Sequence, residues 1–372
     1  MKHWMALIGL LLALNSTLAI AGDPAETIGE YLQAAVDVHR FNGSVLVAQK
    51  DQTIFSGGFG LANFEHDVAN TPNTKFRIGS ITKQFTAMAV MVLQEQGKLK
   101  VTDPIGKYFD DPPEAWEGIT IHHLLTHTSG IPSYTSMLNY RFRMAHFQTT
   151  KDMLGRFRDK PLEFEPGEKF EYSNSGYFLL GVVIEKAAGK RYEEFLREEV
   201  LDPLGLKDTG YDRFKTVLQH RASGYERYGN AISHAPFLDM SQPYSAGALY
   251  STVEDLNRWD QALRQRKLIS AENYQAMFTP EKDHYAYGWM VRGENSRRRI
   301  FHGGGINGFL SFILRFPEEE LCIVVLSNVT PSNPGKIAQD LAAIMLGEEF
   351  EIPKPRETNS APQVIPTTRT NP

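Results

Sequence analysis

The sequence predicts an α/β protein of the α+β kind, an antiparallel sheet flanked by N- and C-terminal helices and carrying a large helical insertion. Three observations point there. Strand-like runs occur near both ends, in "GSVLVAQKDQTIFSGGFG" and again in "RRIFHGG", "GFLSFILRF" and "LCIVVLSN". Between them, apolar residues recur at helical rather than alternating spacing. A helical pattern also stands outside each strand group, in "PAETIGEYLQAAVDVHR" and from Gly335 to Leu346.

In chain order, "MKHWMALIGLLLALNSTLAIAGDP" places Lys2 and His3 ahead of an apolar run, with Ala19 and Ala21 just before Gly22. That is the pattern of a secretory signal peptide over residues 1–21. An uncleaved anchor is the alternative, but the run is shorter than the ~20 residues a spanning helix needs. The expectation is an exported protein, periplasmic or secreted, with no membrane span after cleavage. Cys322 is the only cysteine, so there is no internal disulfide and no lipid-accepting thiol at the cleavage site. Within "ELCIVVLSN" it fits core packing.

Pro24 then opens a helix whose Ile28, Leu32, Ala35 and Val36 share one face. The first strand run is split by a polar turn and predicts a hairpin. Apolar helical patterns follow at Ile81–Gln96, Tyr177–Ala188 and Tyr192–Val200. These boundaries give one domain over 22–350, its sheet region about 22–70 and 286–350 and its helical region about 71–285. A cleft between sheet and helices is the expected binding site. The proline- and threonine-rich end, 351–372, reads as a disordered tail.

Composition narrows the partners. A chain of 372 residues with 42% hydrophobic content can bury a sizeable core. A net charge of −5 and no long Lys/Arg run leave no footprint for nucleic acid or for an anionic membrane. A small molecule or short peptide remains as the partner.

The chemistry centres on "FRIGSITKQFTAMAVM". Ser80 and Lys83 stand three apart at the start of a helical pattern, on one side of it. Such a serine can be a cap. It can also be a nucleophile, if the lysine is stripped of its proton by desolvation, with helix N-terminal N–H groups ready for an oxyanion. One Ser-x-x-Lys is expected by chance in a chain of roughly this length, so the pair alone does not decide. No Gly-x-Ser-x-Gly elbow competes. Further along, "FEYSNSGYFLL" carries Tyr172 and Asn174 just before an apolar helix, and "RRIFHGGGING" carries His302 ahead of three glycines.

Taken together, Ser80-Ile81-Thr82-Lys83, Tyr172-Ser173-Asn174 and His302-Gly303-Gly304 resemble the three motifs of the serine β-lactamase and penicillin-binding DD-peptidase superfamily. Within it they are most similar to the class C-like branch, which includes D-aminopeptidases, DD-carboxypeptidases and esterases. "ITIHHLLTHTSGIP" and "SAGALYSTVEDLNRW" are similar to its connecting segments, and the resemblance spans about Ala25 to Met345. It implies a β-lactamase/transpeptidase-like fold and an acyl-enzyme formed on Ser80. Lys83 and Tyr172 would relay the proton, with Tyr172 protonating the leaving group. Asn174 would bind substrate and help place Lys83. Ser80 and Gly305 would supply the oxyanion N–H groups, and His302, Gly304 and Gly305 would line the substrate's path. No cofactor is implied.

The third motif usually starts with lysine, whose charge meets a substrate carboxylate. Here it is His302, largely neutral at neutral pH. This shifts the expected substrates from β-lactams to small peptides, amides or esters. A weak β-lactamase, or a penicillin- or peptide-binding receptor with little turnover, is the alternative. The other candidates read as structural. His123 and His127 have i, i+4 spacing but no intervening glutamate and no third ligand, so they fit a helix–loop connection better than a metal site. Tyr228 and Asn230 fit a hairpin, Ser251 and Glu254 a capping box, Glu163, Glu165 and Glu168 a solvated turn, and the arginines at 297–299 a strand end.

Overall fold

The computed structural model describes residues 23–293 and 297–354. The signal segment and the tail beyond residue 354 lie outside the described residues, while 351–354 carry no helix or strand. The long helices are α1 (Pro24–His39), α2 (Thr82–Glu95), α3 (Asn174–Ala188), α4 (Val253–Arg264) and α5 (Pro334–Leu346). The Asp23 carboxylate accepts from the Ala25 N–H ahead of α1, whose Pro24 has no N–H to leave unpaired.

One six-stranded sheet is built from β1 (Gly43–Gln49), β2 (Gln52–Phe59), β3 (Met290–Arg292), β4 (Arg299–Ile306), β5 (Phe309–Phe316) and β6 (Leu321–Ser327). Its order is β3-β4-β5-β6-β1-β2, antiparallel throughout, so the N-terminal hairpin completes a sheet begun at the other end of the chain. Alternation along β1 sends Val45 and Val47 to one face, against Ile28 and Leu32 of α1 and Ile337 and Leu341 of α5. Leu46 faces the opposite side, in the core that holds Phe85 of α2 and Trp259 of α4. Both faces are covered, which is why β6 reads as an unbroken apolar run. Each fully buried Val, Leu or Ile contributes about 1.5–3 kcal/mol. Cys322 is a free thiol in this core.

The insertion differs from the sequence expectation in two respects. Besides its helices and the expected hairpin, in which Tyr225–Tyr228 pairs with Ala231–His234, Phe76–Arg77, Gly210–Tyr211 and Leu249–Ser251 form a small sheet. Strands of two or three residues are too short to show an alternating pattern. The capping residue of α4 is Thr252, whose hydroxyl accepts from the Asp255 N–H. Ser251 instead bonds Thr209 at 2.8 Å, and Glu254 accepts from Ser56.

Candidate active site

The strand Phe76–Arg77 runs into a tight turn, Gly79–Ile81, before α2 begins. Gly79 takes a left-handed φ of 50° there, a conformation glycine adopts without strain. Ser80 is left half-buried at the end of the helix, and Lys83 is fully buried beneath it. The Lys83 Nζ lies 3.2 Å from Ser80 Oγ, 2.8 Å from Asn174 Oδ1 and 2.8 Å from the Ala246 carbonyl oxygen. Burial holds its pKa well below the ordinary lysine value. A neutral amine satisfies this environment fully. Its two hydrogens go to Asn174 and Ala246, which can only accept, and its lone pair is free for the Ser80 hydroxyl proton.

Tyr172 ends the loop before α3. Its hydroxyl lies near Ser80, and its ring centroid lies 4.8 Å from Lys83 Nζ. Desolvation raises its pKa, so the phenol keeps its proton. The Ser173 hydroxyl caps α3 by accepting from the Gly176 N–H, and it donates to the Ile131 carbonyl. Asn174 is pinned at both ends of its amide, accepting from Lys83 and donating to Thr135 Oγ1 at 3.0 Å.

The Tyr172 loop is clamped by His127. The His127 carbonyl accepts from the Glu171 N–H at 2.9 Å, and its Nδ1 accepts from the Ser173 N–H at 3.1 Å. Its ring packs 4.2 Å from that of Tyr172, centroid to centroid. Accepting at Nδ1 fixes the proton on Nε2. Burial first, then the cost of a second positive charge beside a protonated Lys83 or His302, holds its pKa well below normal. The helix–loop connection expected of this histidine is thus a brace against the candidate catalytic tyrosine. His123 Nδ1 accepts from Thr120 N–H in a capping box, and among the described residues no three His, Cys, Asp or Glu side chains are placed to hold a metal.

Strand β4 forms the opposite wall. It pairs with β3 only over Arg299–Phe301, leaving His302–Ile306 without a strand partner on that edge. Gly305 is exposed there and lines the cleft. A Cβ on Gly79 would lie 2.9 Å from the Gly305 nitrogen, so the backbones at Ser80 and Gly305 meet at one end of the cleft, where oxyanion donors are expected.

Two sequence expectations are corrected here. His302, expected along the substrate's path, is not among the described residues that line the cleft. It is 6% exposed, its Nε2 pairs with the Tyr285 hydroxyl at 3.0 Å, and its Nδ1 lies 2.6 Å from the Gly303 carbonyl oxygen. Burial and the nearby Lys83 push its pKa down to about 4, so it supplies no charge at neutral pH. Gly304 is buried rather than in the substrate's path: a Cβ there would lie 2.0 Å from the Ile78 carbonyl oxygen and 2.3 Å from Ser311 Oγ. Its size lets β4 seat against the Ser80 turn. Gly304→Ala is therefore expected to force the two apart and lower stability by about 1–3 kcal/mol, read as a fall in the urea midpoint together with loss of activity.

The cleft holds about 260 Å³ and is lined by Ser80, Thr135, Asn174 and Gly305 together with Tyr134, Tyr140, Leu238 and Ile306 among others. No Asp, Glu, Lys or Arg is among its described lining residues. Sequence reasoning missed Thr135, which carried no signal, and Ala246, which acts through a backbone carbonyl. The remaining candidates lie elsewhere: Asn230 accepts from Arg40 and Tyr228 donates to Glu226 on the exposed hairpin, while Arg297 pairs with Glu319 and Glu348.

Comparison with known proteins agrees with this architecture. The β-lactamase family model matches residues 27–345. The chain is 30% identical over 354 residues to penicillin-binding protein 4* of Bacillus subtilis (strain 168), covering 88% of this chain and 76% of that one. A penicillin-binding protein structure from Bacillus halodurans superposes with a TM-score of 0.75 at 29% identity, over 85% of this chain and 99% of that chain. The D-amino acid amidase of Ochrobactrum anthropi SV3 shares the fold, with a TM-score of 0.76 at 24% identity over 88% of this chain and 98% of that chain.

Proposed function

We propose, from the premise that this chain belongs to the β-lactamase family and is a serine hydrolase of that family, that it is exported and hydrolyses small uncharged esters or amides through an acyl-enzyme on Ser80. The observation that carries the reading is the buried Lys83 amine, held between two pure acceptors and 3.2 Å from Ser80 Oγ.

Ser80 Oγ attacks the carbonyl carbon as Lys83 takes its proton, forming the C–O bond to the acyl group. The oxyanion forms between the Ser80 and Gly305 backbones. Tyr172, kept protonated, passes a proton to the leaving alcohol or amine as its bond to the acyl carbon breaks, and it is reprotonated by way of Lys83. Water then attacks the ester, with the same groups acting in reverse. Asn174 holds the amine in place, and His127 holds the phenol.

The substrate class follows from charge. In the motif this one resembles a lysine meets the substrate carboxylate, whereas His302 is buried, neutral and bonded to Tyr285. The described cleft residues offer no substitute. A hydrogen bond to a charged group contributes about 1.5–3 kcal/mol, so its absence costs roughly tenfold or more. Uncharged esters and amides are expected to show kcat/KM at least about tenfold above their carboxylate-bearing counterparts. A panel of matched pairs, with a D-Ala-D-Ala peptide and a β-lactam, measures this, and a preference for the carboxylates would overturn it.

A further inference from the structure

Nine large hydrophobic side chains are exposed among the described residues, and six of them (Leu138, Phe142, Phe147, Phe214, Val217 and Phe237) fall in three short segments. Those segments are distant in sequence yet packed side by side. The Asp239 N–H donates to the Met144 carbonyl at 2.9 Å, and Asn307 Nδ2 bridges the Pro236 carbonyl at 2.8 Å and Met144 Sδ at 3.5 Å. Phe214 and Phe237 meet edge to face at 5.4 Å between centroids. The cluster borders the active-site cleft, because Tyr140, Leu238 and Asn307 line it.

The same segments carry Arg141, Arg143 and Lys215, all exposed. Stretches 138–147, 213–217 and 231–238 contain no Asp or Glu, and of the flanking acids Asp212 is buried and paired with Arg77 and Arg221 while Asp239 is half-buried, in a chain whose net charge is −5. Arg143 also sits near Arg156, whose Nε and Nη2 are buried without a hydrogen-bond partner. Folding thus gathers on one rim of an acidic protein the positive charge that no single Lys/Arg run in its sequence offers to an anionic membrane. Its phenylalanines stand out into solvent between the arginines.

Aromatic rings beside Arg and Lys match an anionic lipid surface, where rings settle at the boundary of headgroups and acyl chains and the cations meet lipid phosphates. A soluble polyanion would engage the arginines but leave the rings in water. The remainder of the acidic surface would be repelled, which selects this rim over any other approach. We propose that the rim formed by 138–147, 213–217 and 236–238 docks the protein on an anionic lipid bilayer, with the mouth of the Ser80 cleft beside the contact.

The test is co-sedimentation of the full chain with phosphatidylcholine vesicles, with and without phosphatidylglycerol. Two double variants are compared, Arg141→Gln with Arg143→Gln and Phe142→Ser with Phe147→Ser. All carry the same N-terminus, so any contribution from it cancels. Wild type is expected to partition onto the phosphatidylglycerol vesicles and to be released by salt. At roughly fivefold per cation, the arginine pair should weaken partition by about 30-fold, and the phenylalanine pair by about tenfold or more. Turnover of a soluble ester should be unchanged in both, which also shows that they fold. Equal partition with and without the anionic lipid, variants that partition like wild type, or binding to dextran sulfate but not to vesicles would each overturn the proposal. Failure of the acyl-enzyme reading would appear instead in turnover, with partition untouched.

Discussion

Ser80→Ala is expected to reduce kcat on every ester and amide the protein cleaves by on the order of 10⁴- to 10⁶-fold. The loss is this large because the hydroxyl forms the bond to the acyl group, and no neighbour can replace it. Tyr172 is kept as a neutral phenol by desolvation, Lys83 is enclosed, and Thr135 is engaged with Asn174 and Ser133. Stability should change by no more than about 1 kcal/mol, since Ser80 is half-buried and its removal opens no internal cavity. The measurements are kcat, the thermal midpoint, and covalent labelling by a fluorophosphonate that adds its mass to Ser80 in wild type and not in the variant. A variant that still turns over substrate would refute covalent catalysis at this residue.

Lys83→Met is expected to cost roughly 10²- to 10⁴-fold in kcat and to remove a pH signature from stability. In wild type the folded-state pKa of Lys83 lies below its unfolded value of about 10.4. Between those two values the unfolded chain binds more protons than the folded one, so stability rises with pH across that window. Below the folded value the contribution is constant and unfavourable, because folding must then bury a charge or release a proton. Methionine has no proton to bind, so the slope assigned to this residue should vanish when urea unfolding is followed from neutral to alkaline pH. Activity gives the matching sign: wild-type kcat/KM should fall as pH drops below the folded value and the amine becomes ammonium. A variant keeping kcat within tenfold of wild type, or the same alkaline slope, would show that Lys83 is not the base.

Much of the fold was legible because it rests on periodicity. The outer helices, the hairpin and the three C-terminal strands each repeat a pattern long enough to recognise, and β6 is apolar throughout because both its faces are covered. The two- and three-residue strands of the insertion had no such length. For the site, residue type and order marked Ser80, Lys83, Tyr172 and Asn174, and the structure brings all four together. Direction was not legible. Nothing in "FHGGG" shows that His302 turns inward to Tyr285, or that Gly304 lies under the Ile78 carbonyl while Gly305 faces the cleft. His127 was visible as one of a histidine pair, but its value depends on Glu171 and Ser173, which reach it only after the chain has folded back.

The pairing of β1 with β6 governs when the protein becomes active as well as how it is held. Val45 lies opposite Val325, so a strand near the start of the chain waits for one near the end. Such long-range closure is slow compared with local contacts. Ser80 and Lys83 emerge early, but the wall bearing Gly305 belongs to β4 and is anchored through β5 to β6. During synthesis Ser80 and Lys83 therefore exist long before Gly305, and the cleft is incomplete until the last strands arrive. The hydrolytic activity thus carries its own delay and begins only where folding is completed.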